Sequence, residues 1–234
     1  MIEREAVLGA LSGVRDPELD EPLTNLGFVS DLRVEGDTVS IRLRLPTYFC
    51  APNFAYLMVA DAREAVLSVP GVEKASVVLE DHYASEELND NAAFDDAFPG
   101  ETEGPDLNEL RTTFRRKSFV SRQERLCRAL LAQGSSPEEL AAMTLGDVPP
   151  SDEFGKYLER RSELSLDVSP EAPFLVDPDG RRVPHEAVVQ HLRFAKTVRV
   201  SIEGNAGLCR GLLETRYGGA RGVGQREDRE EATV

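Results

Sequence analysis

The feature that most constrains this chain is an abrupt change of hydrophobic period. In "TVSIRLRL", Val39, Ile41, Leu43 and Leu45 face one way while Thr38, Ser40, Arg42 and Arg44 face the other. That is the period-2 signature of a half-buried strand. Pro46 ends it, and from Pro52 the residues Phe54, Leu57, Met58, Ala62, Ala65 and Val69 follow helical spacing. A strand that runs through a five-residue turn ("TYFCA") into a helix must bury both against one core.

The neighbouring segments complete such a core. Val7, Leu8 and Leu11 form one face of a first helix, and "FVSDLRV" pairs with "TVSIRLRL" across "EGD" as a hairpin. "GVRDPELDEPLTNLGFV", with two prolines and a run of turn formers, is expected as a loop. "VPGVEKASVVLE" supplies a turn and a third strand. The order helix, strand, strand, helix, strand predicts a small α+β domain over residues 1–83.

Residues 84–110 change character, with nine acids and no base in "ASEELNDNAAFDDAFPGETEGPDLNEL", and are expected as an acidic linker. The charge then reverses: "RTTFRRKSFVSRQERLCR" carries seven bases and one acid. Ser121 with Glu124, and Ser136 with Pro137 and Glu139, fit capping boxes and predict two helices joined at "AQGSS". "FLVDPDGRRV" reads as a hairpin about its DPDG turn. From Pro184 a long helical pattern carries Val188, Leu192, Ala195, Val198, Ile202, Ala206, Cys209 and Leu213, with Gly204 and Gly207 as expected kinks. Residues 111–217 are therefore expected to form a mainly helical domain, and residues 218–234 a disordered tail.

The net charge of −15 over 234 residues disfavours nucleic acid, whose binding depends on neutralising phosphates. No run approaches the length of a membrane span. The acidic start lacks a signal peptide's basic region, and three cysteines do not make a disulfide framework, so a reducing cytoplasm is expected.

Among candidates for chemistry, Cys50 ranks first. Pro52 suits the first helical position and places Cys50 just before a helix N-terminus, where unpaired N–H groups and the helix dipole favour a thiolate. Thr47 offers a hydroxyl three residues earlier. The alternative is an inert thiol in a turn. Cys127 and Cys209 lie on apolar helical faces and are expected to pack in a core. His82, at the end of the third strand, could face the Cys50 loop but is expected as a solvated loop residue. Asp16 and Glu18, in "DPELDEP", suit hard metal ligands, loop-orienting acceptors, or plain turn chemistry around Pro17.

Together, the DPE loop, "NLGFV" at the strand entry, Thr47-x-x-Cys50 ahead of a helix, and "PGV" before a Val-rich strand resemble the iron–sulfur assembly domain of SufT-type and PaaD-type proteins. The resemblance covers roughly the first third of the chain. It implies an α+β fold, a functional cysteine at Cys50, and a transient cargo of iron or an iron–sulfur cluster held by Cys50, with Asp16 and Glu18 as further candidate ligands. Thr47, Asn25, Phe49 and Pro52 would support the loop. Phe49 stands where the family has Gly, Ala51 takes the usual place of Pro, and Asn25 replaces an Asp.

The implied function is a non-enzymatic maturation factor for a client metalloprotein, by the PaaD-type likeness a multicomponent oxygenase subunit. A single thiolate cannot fill a cluster's four protein positions, so binding calls for a homodimer, ligands from the client, or a small thiol. The alternative function is a metal-free assembly chaperone or adaptor in which Cys50 is a relic.

Overall fold

A computed structural model describes residues 2–90 and 107–218, which fall into two compact units: Met1–Leu107 with Asn205–Val234, and Asn108–Gly204. These bounds cross the expected division, because the chain from Asn205 groups with the α+β unit. Residues 219–234 of the expected tail, and residues 91–106 of the expected linker, lie outside the described residues.

The first unit opens with α1 (Arg4–Ser12), which buries Val7 and Leu11 completely. The expected loop that follows is partly ordered by pairing. Strands β1 (Arg15–Asp16) and β2 (Glu21–Pro22) form a minimal antiparallel ladder, and α2 (Leu23–Leu26) ends at Gly27 with φ of 76°. Strand β3 (Val29–Glu35) pairs antiparallel with β4 (Thr38–Arg44), the connection turning at Gly36 with φ of 65°. That backbone conformation favours a residue without Cβ.

Helix α3 (Pro52–Leu67) then crosses over to β5 (Lys74–Glu80), which runs parallel to β4, giving the order β3-β4-β5. A parallel pair needs such a long connection, so the helix is part of the sheet's topology. The inward set Val39, Ile41, Leu43 and Leu45 is buried as its alternation predicts. Arg44, expected on the solvent face, is buried instead because Tyr217 covers it, with the guanidinium 4.8 Å from the ring centroid.

The fold continues past the expected end of the domain. Helix α4 (Ser85–Asn89) adds Ala84 and Leu88 to the core. Asn89 satisfies the free edge of β5, accepting from the Leu79 N–H at 2.8 Å and donating to its carbonyl at 3.0 Å. The first residues of the expected linker are thus structured.

The second unit contains α5 (Leu107–Ala132, from Asn108), α6 (Pro137–Ala142), α7 (Asp152–Glu163) and the start of α8 (Val188–Tyr217). Ser136 and Glu139 form the expected reciprocal capping box at 3.2 and 2.7 Å. Ser121 does not cap a helix. It lies buried within α5, and Glu124 pairs with Arg199 instead. The DPDG segment turns at Gly180 with one bridge, Val176↔Arg182, rather than a full hairpin. Gly204 and Gly207 leave α8 continuous. Helix α7 has no counterpart among the expected elements: Phe154, Tyr157 and Leu158 share its inward face at helical spacing, but Arg160 and Arg161 are buried beside them and break up the apolar signal. Among the described residues, no helix is long and apolar enough to cross a membrane.

Candidate functional site

The junction between β4 and α3 carries Cys50. Leu45 is buried at one end of this turn, and at the other the Ala51 carbonyl accepts from the N–H groups of Phe54 and Ala55, both at 3.1 Å. Pro52 takes the first helical position, where its missing N–H costs nothing. Cys50 is half-buried, with Sγ 3.3 Å from the Thr47 hydroxyl.

The turn is clamped from the far end of β5. His82 is buried, not solvated as expected, because its ring is drawn under the turn. The Ala84 N–H donates to Nδ1 at 3.2 Å, which leaves the proton on Nε2, and Nε2 donates to the Cys50 carbonyl at 2.7 Å. Burial lowers the His82 pKa, against the Cys50 hydrogen bond and with help from nearby Arg216, so the imidazole is held neutral. Both ring nitrogens are committed to backbone, so His82 positions the cysteine and is not a free base for it. The Tyr83 N–H adds a second tie, to the Tyr48 carbonyl at 3.2 Å.

The DPE loop is built around Asp16. Its Oδ1 accepts from the N–H groups of Glu18 and Leu19, both at 2.9 Å, as an Asx turn. Asp16 is buried, and that burial raises its pKa to about 6 despite those two hydrogen bonds, with Glu18 and Glu21 adding repulsion. The turn closes at Asp20, whose φ of 53° is rare for a residue with a side chain.

The end of α8 completes this unit. Ala206 and Leu213 are buried in the same core as β4 and α3, and both Cys209 and Cys50 pack against that core. Asn205 donates to Glu18 Oε1 at 3.1 Å, and Arg210 pairs with Glu21. Arg216 donates to the carbonyls of Leu45, at 3.1 Å, and Asp81. Burial pushes the Cys209 thiol up to about 11, and Asp16, Cys50 and Glu18 add to the shift while Arg210 opposes it. Cys209 therefore packs as expected, but on the α+β core and within electrostatic reach of Cys50 and the DPE loop.

Other expected site residues fall differently. Phe49 is 77% exposed and meets Tyr48 edge-on at 5.5 Å, so it stands out from the turn. Asn25 is exposed on α2, its side chain 3.4 Å from the Thr24 hydroxyl. Cys127 is buried in the helical core, its thiol pushed far up by burial. Among the described residues, no three His, Cys, Asp or Glu side chains converge closely enough to hold a metal ion unaided. Sequence reading missed the roles of His82, Tyr48, Tyr83 and Arg216, whose positions depend on contacts across long stretches of chain. For His82, the one available signal was its place at the end of the third strand.

Comparison with known proteins bears on the N-terminal part of the chain. Residues 4–77 match the iron-sulfur cluster assembly protein family. An iron-sulfur cluster carrier protein of Synechocystis sp. is 40% identical over 77 residues, 33% of this chain and 21% of that protein. One from Deinococcus radiodurans is 36% identical over 73 residues, 31% of this chain and 20% of that protein. The chain thus spans about a fifth of the length of these carrier proteins. An uncharacterized protein of Methanocaldococcus jannaschii is 32% identical over 91 residues, 38% of this chain but 94% of that protein. Through the domain that holds Asp16 and Cys50, the chain belongs to the iron–sulfur cluster assembly protein family.

Proposed function

We propose that this protein is a non-catalytic accessory factor that receives iron or an iron–sulfur cluster transiently and passes it to a client metalloprotein in the cytoplasm. The observation that carries this reading is the Cys50 thiol, half-exposed at the start of α3 in a turn held by His82 and Thr47. A soft sulfur on a rigid turn suits a soft metal, and partial exposure suits release. The relatives named as cluster carriers support the cargo class. Because no complete ligand set converges among the described residues, the remaining ligands come from the client, a second copy of the chain or a small thiol.

Two features bear on the client. Tyr48 and Tyr83 are half-exposed beside Phe49, forming an aromatic rim at the cysteine turn that fits contact with the protein receiving the cargo. The helical unit supplies further recognition surface through the exposed Phe194 and Val200. The PaaD-type likeness directs the search for clients toward multicomponent oxygenases.

The test is anaerobic reconstitution with ferrous iron and sulfide, followed by visible absorbance and iron content. Cys50→Ala should lose the bound chromophore while keeping its circular dichroism spectrum, because a half-buried turn thiol contributes little core area. A Cys50→Ala protein that loads like the wild type and still supports its client would leave the metal-free adaptor as the function.

A further inference from the structure

The family's domain is complete without α8. The family match ends at residue 77, and 91 residues of this chain account for 94% of the Methanocaldococcus jannaschii relative, which therefore has no counterpart of this helix. Here, however, the end of α8 lies on that domain's core. Ala206 and Leu213 are buried in it, Cys209 and Tyr217 are partly buried against it, and the Tyr217 ring covers Arg44. The last turn also braces the frame around Cys50. The Arg216 guanidinium donates to the Leu45 carbonyl, where β4 enters the cysteine turn, and to the Asp81 carbonyl, one residue before His82. One side chain thus joins the two segments that hold the turn.

The attachment itself is weak. Between Asn205 and Tyr217 the buried side chains are Ala206 and Leu213, while Leu208 and Leu212 are exposed. The Arg210–Glu21 pair lies at the surface, where ion pairs contribute little. Gly207 and Gly211 are exposed, and a Cβ at either would meet nothing within 4 Å. Packing therefore does not require these glycines, and each weakens the helix relative to alanine. Few buried contacts and an exposed backbone belong to the segments of a fold that open first.

We infer that residues 205–217 are a releasable strap: docked, it braces the Cys50 turn, and unwinding back from Tyr217 it frees that turn. This deepens the carrier reading and rests on it for the strap's purpose, which is to give Cys50 a guarded and an open state. Release removes both Arg216 hydrogen bonds at once, uncovers Arg44 and exposes the apolar face beneath Ala206 and Leu213. The turn keeps its ties to His82 and Tyr83 but loses the brace between Leu45 and Asp81. Because the strap is a weak helix by itself, undocking and unwinding are one event. Cys209 reports that event directly, being half-buried while the strap is docked and free when it unwinds. Cys127, sealed inside the other unit, is the control.

The test needs no metal. Iodoacetamide alkylation of the three thiols is timed in the full, reduced chain by peptide mass, alongside amide hydrogen exchange over residues 205–217. Gly207→Ala combined with Gly211→Ala should slow strap exchange and Cys209 alkylation by about 25-fold, since each alanine favours the helix about fivefold. Cys50 alkylation should slow with them, by about twofold or more. Arg216→Ala should speed Cys209 and Cys50 together by about tenfold, with Cys127 still protected as the sign of an intact fold. The alanine pair tightens the chain, so it carries the test even where Arg216→Ala does not fold. Strap exchange and Cys209 reactivity that change while Cys50 stays constant overturn the inference. So does an alanine pair that leaves strap exchange unaltered.

Loading with iron and sulfide separates this inference from the reading beneath it. Cluster uptake by a chain whose Cys50 ignores the strap would sink the strap and leave the carrier function standing. A Cys50 that follows the strap in a chain taking up no iron would keep the strap and sink the iron–sulfur cargo.

Discussion

The two units use buried polar groups in opposite ways. In the helical unit, Gln123, Tyr157, Arg161 and His191 form a closed set. Gln123 donates to the Tyr157 hydroxyl at 2.8 Å and to the Val176 carbonyl at 3.1 Å, and its Oε1 lies 2.6 Å from His191 Nε2. Tyr157 donates to the Phe174 carbonyl at 2.8 Å, while Arg161 donates to the carbonyls of Asp167 and Pro173 at 2.8 and 3.0 Å. These groups satisfy one another and carbonyls of the irregular segment 167–176 that its backbone pairing to Met143, Leu145, Gly146 and Val183 leaves inward. In the α+β unit, the buried Asp16 and His82 hold the backbone of two exposed-edge turns, and Cys50 is left with a single hydroxyl neighbour. A closed network stabilises; an open one presents an atom. That contrast distinguishes a structural polar core from a site.

The contrast can be broken most forcefully at Arg161. Arg161→Ala should cost about 3–4 kcal/mol by urea denaturation, because it leaves buried carbonyls unpaired and opens a cavity. Folded material should still load metal at Cys50. A loss below about 1 kcal/mol would mean the helical network is not structural in this sense.

Asp16 should give an effect of opposite sign. A carboxyl whose folded pKa is raised from 3.8 to about 6 contributes stability fully below its unfolded pKa, and loses it as pH rises through about 6. At neutral pH its ionised form is therefore held at a cost. Asp16→Asn keeps an oxygen for the Glu18 and Leu19 N–H groups, and should raise stability at pH 7 by up to about 3 kcal/mol. Denaturation from pH 4 to 7 is the check. If the Asp16→Asn protein shows the same decline with pH as the wild type, Asp16 is not the titrating group. A gain in stability accompanied by slower cargo binding would mark Asp16 as kept for function.

His82 should produce a smaller change in the other direction. Its folded pKa is lowered, so its contribution is complete above the unfolded value near 6.5 and falls away as pH drops through the folded value. Protonating Nδ1 would also set a proton against the Ala84 N–H. Acidification should first loosen the cysteine turn, seen as faster Cys50 alkylation relative to a free thiol control, while Cys127 stays protected. Equal protection of Cys50 at pH 7.5 and 5.5 would remove His82 from the clamp.

The smallest effect is expected at Phe49. With its ring mostly in solvent, Phe49→Ser should change stability by less than about 0.5 kcal/mol. Its consequence should be weaker client binding, measured as a raised Kd without loss of metal uptake. A loss of metal uptake would instead return Phe49 to the loop-supporting role that the family resemblance implied.

Sequence alone determined the elements whose hydrophobic period is written locally. The β3–β4 hairpin, the start of α3 at Pro52, β5, the Ser136 capping box and the placement of Cys50 between strand and helix all follow from spacing over a few residues. Helix α7 escaped although Phe154, Tyr157 and Leu158 mark an inward face, because Arg160 and Arg161 share its buried side and read as polar until Phe174 and Pro173 supply their acceptors. Spacing also put Ala206, Cys209 and Leu213 on one face of a helix. It could not say what that face meets, because periodicity fixes a direction around a helix axis and nothing about its neighbour. Only the tertiary structure decided that this face closes on the α+β core, that Tyr217 covers Arg44, and that His82 turns inward to hold Cys50. Those choices rest on contacts between residues far apart in the chain, where the free energy of burial, not local propensity, selects the partner.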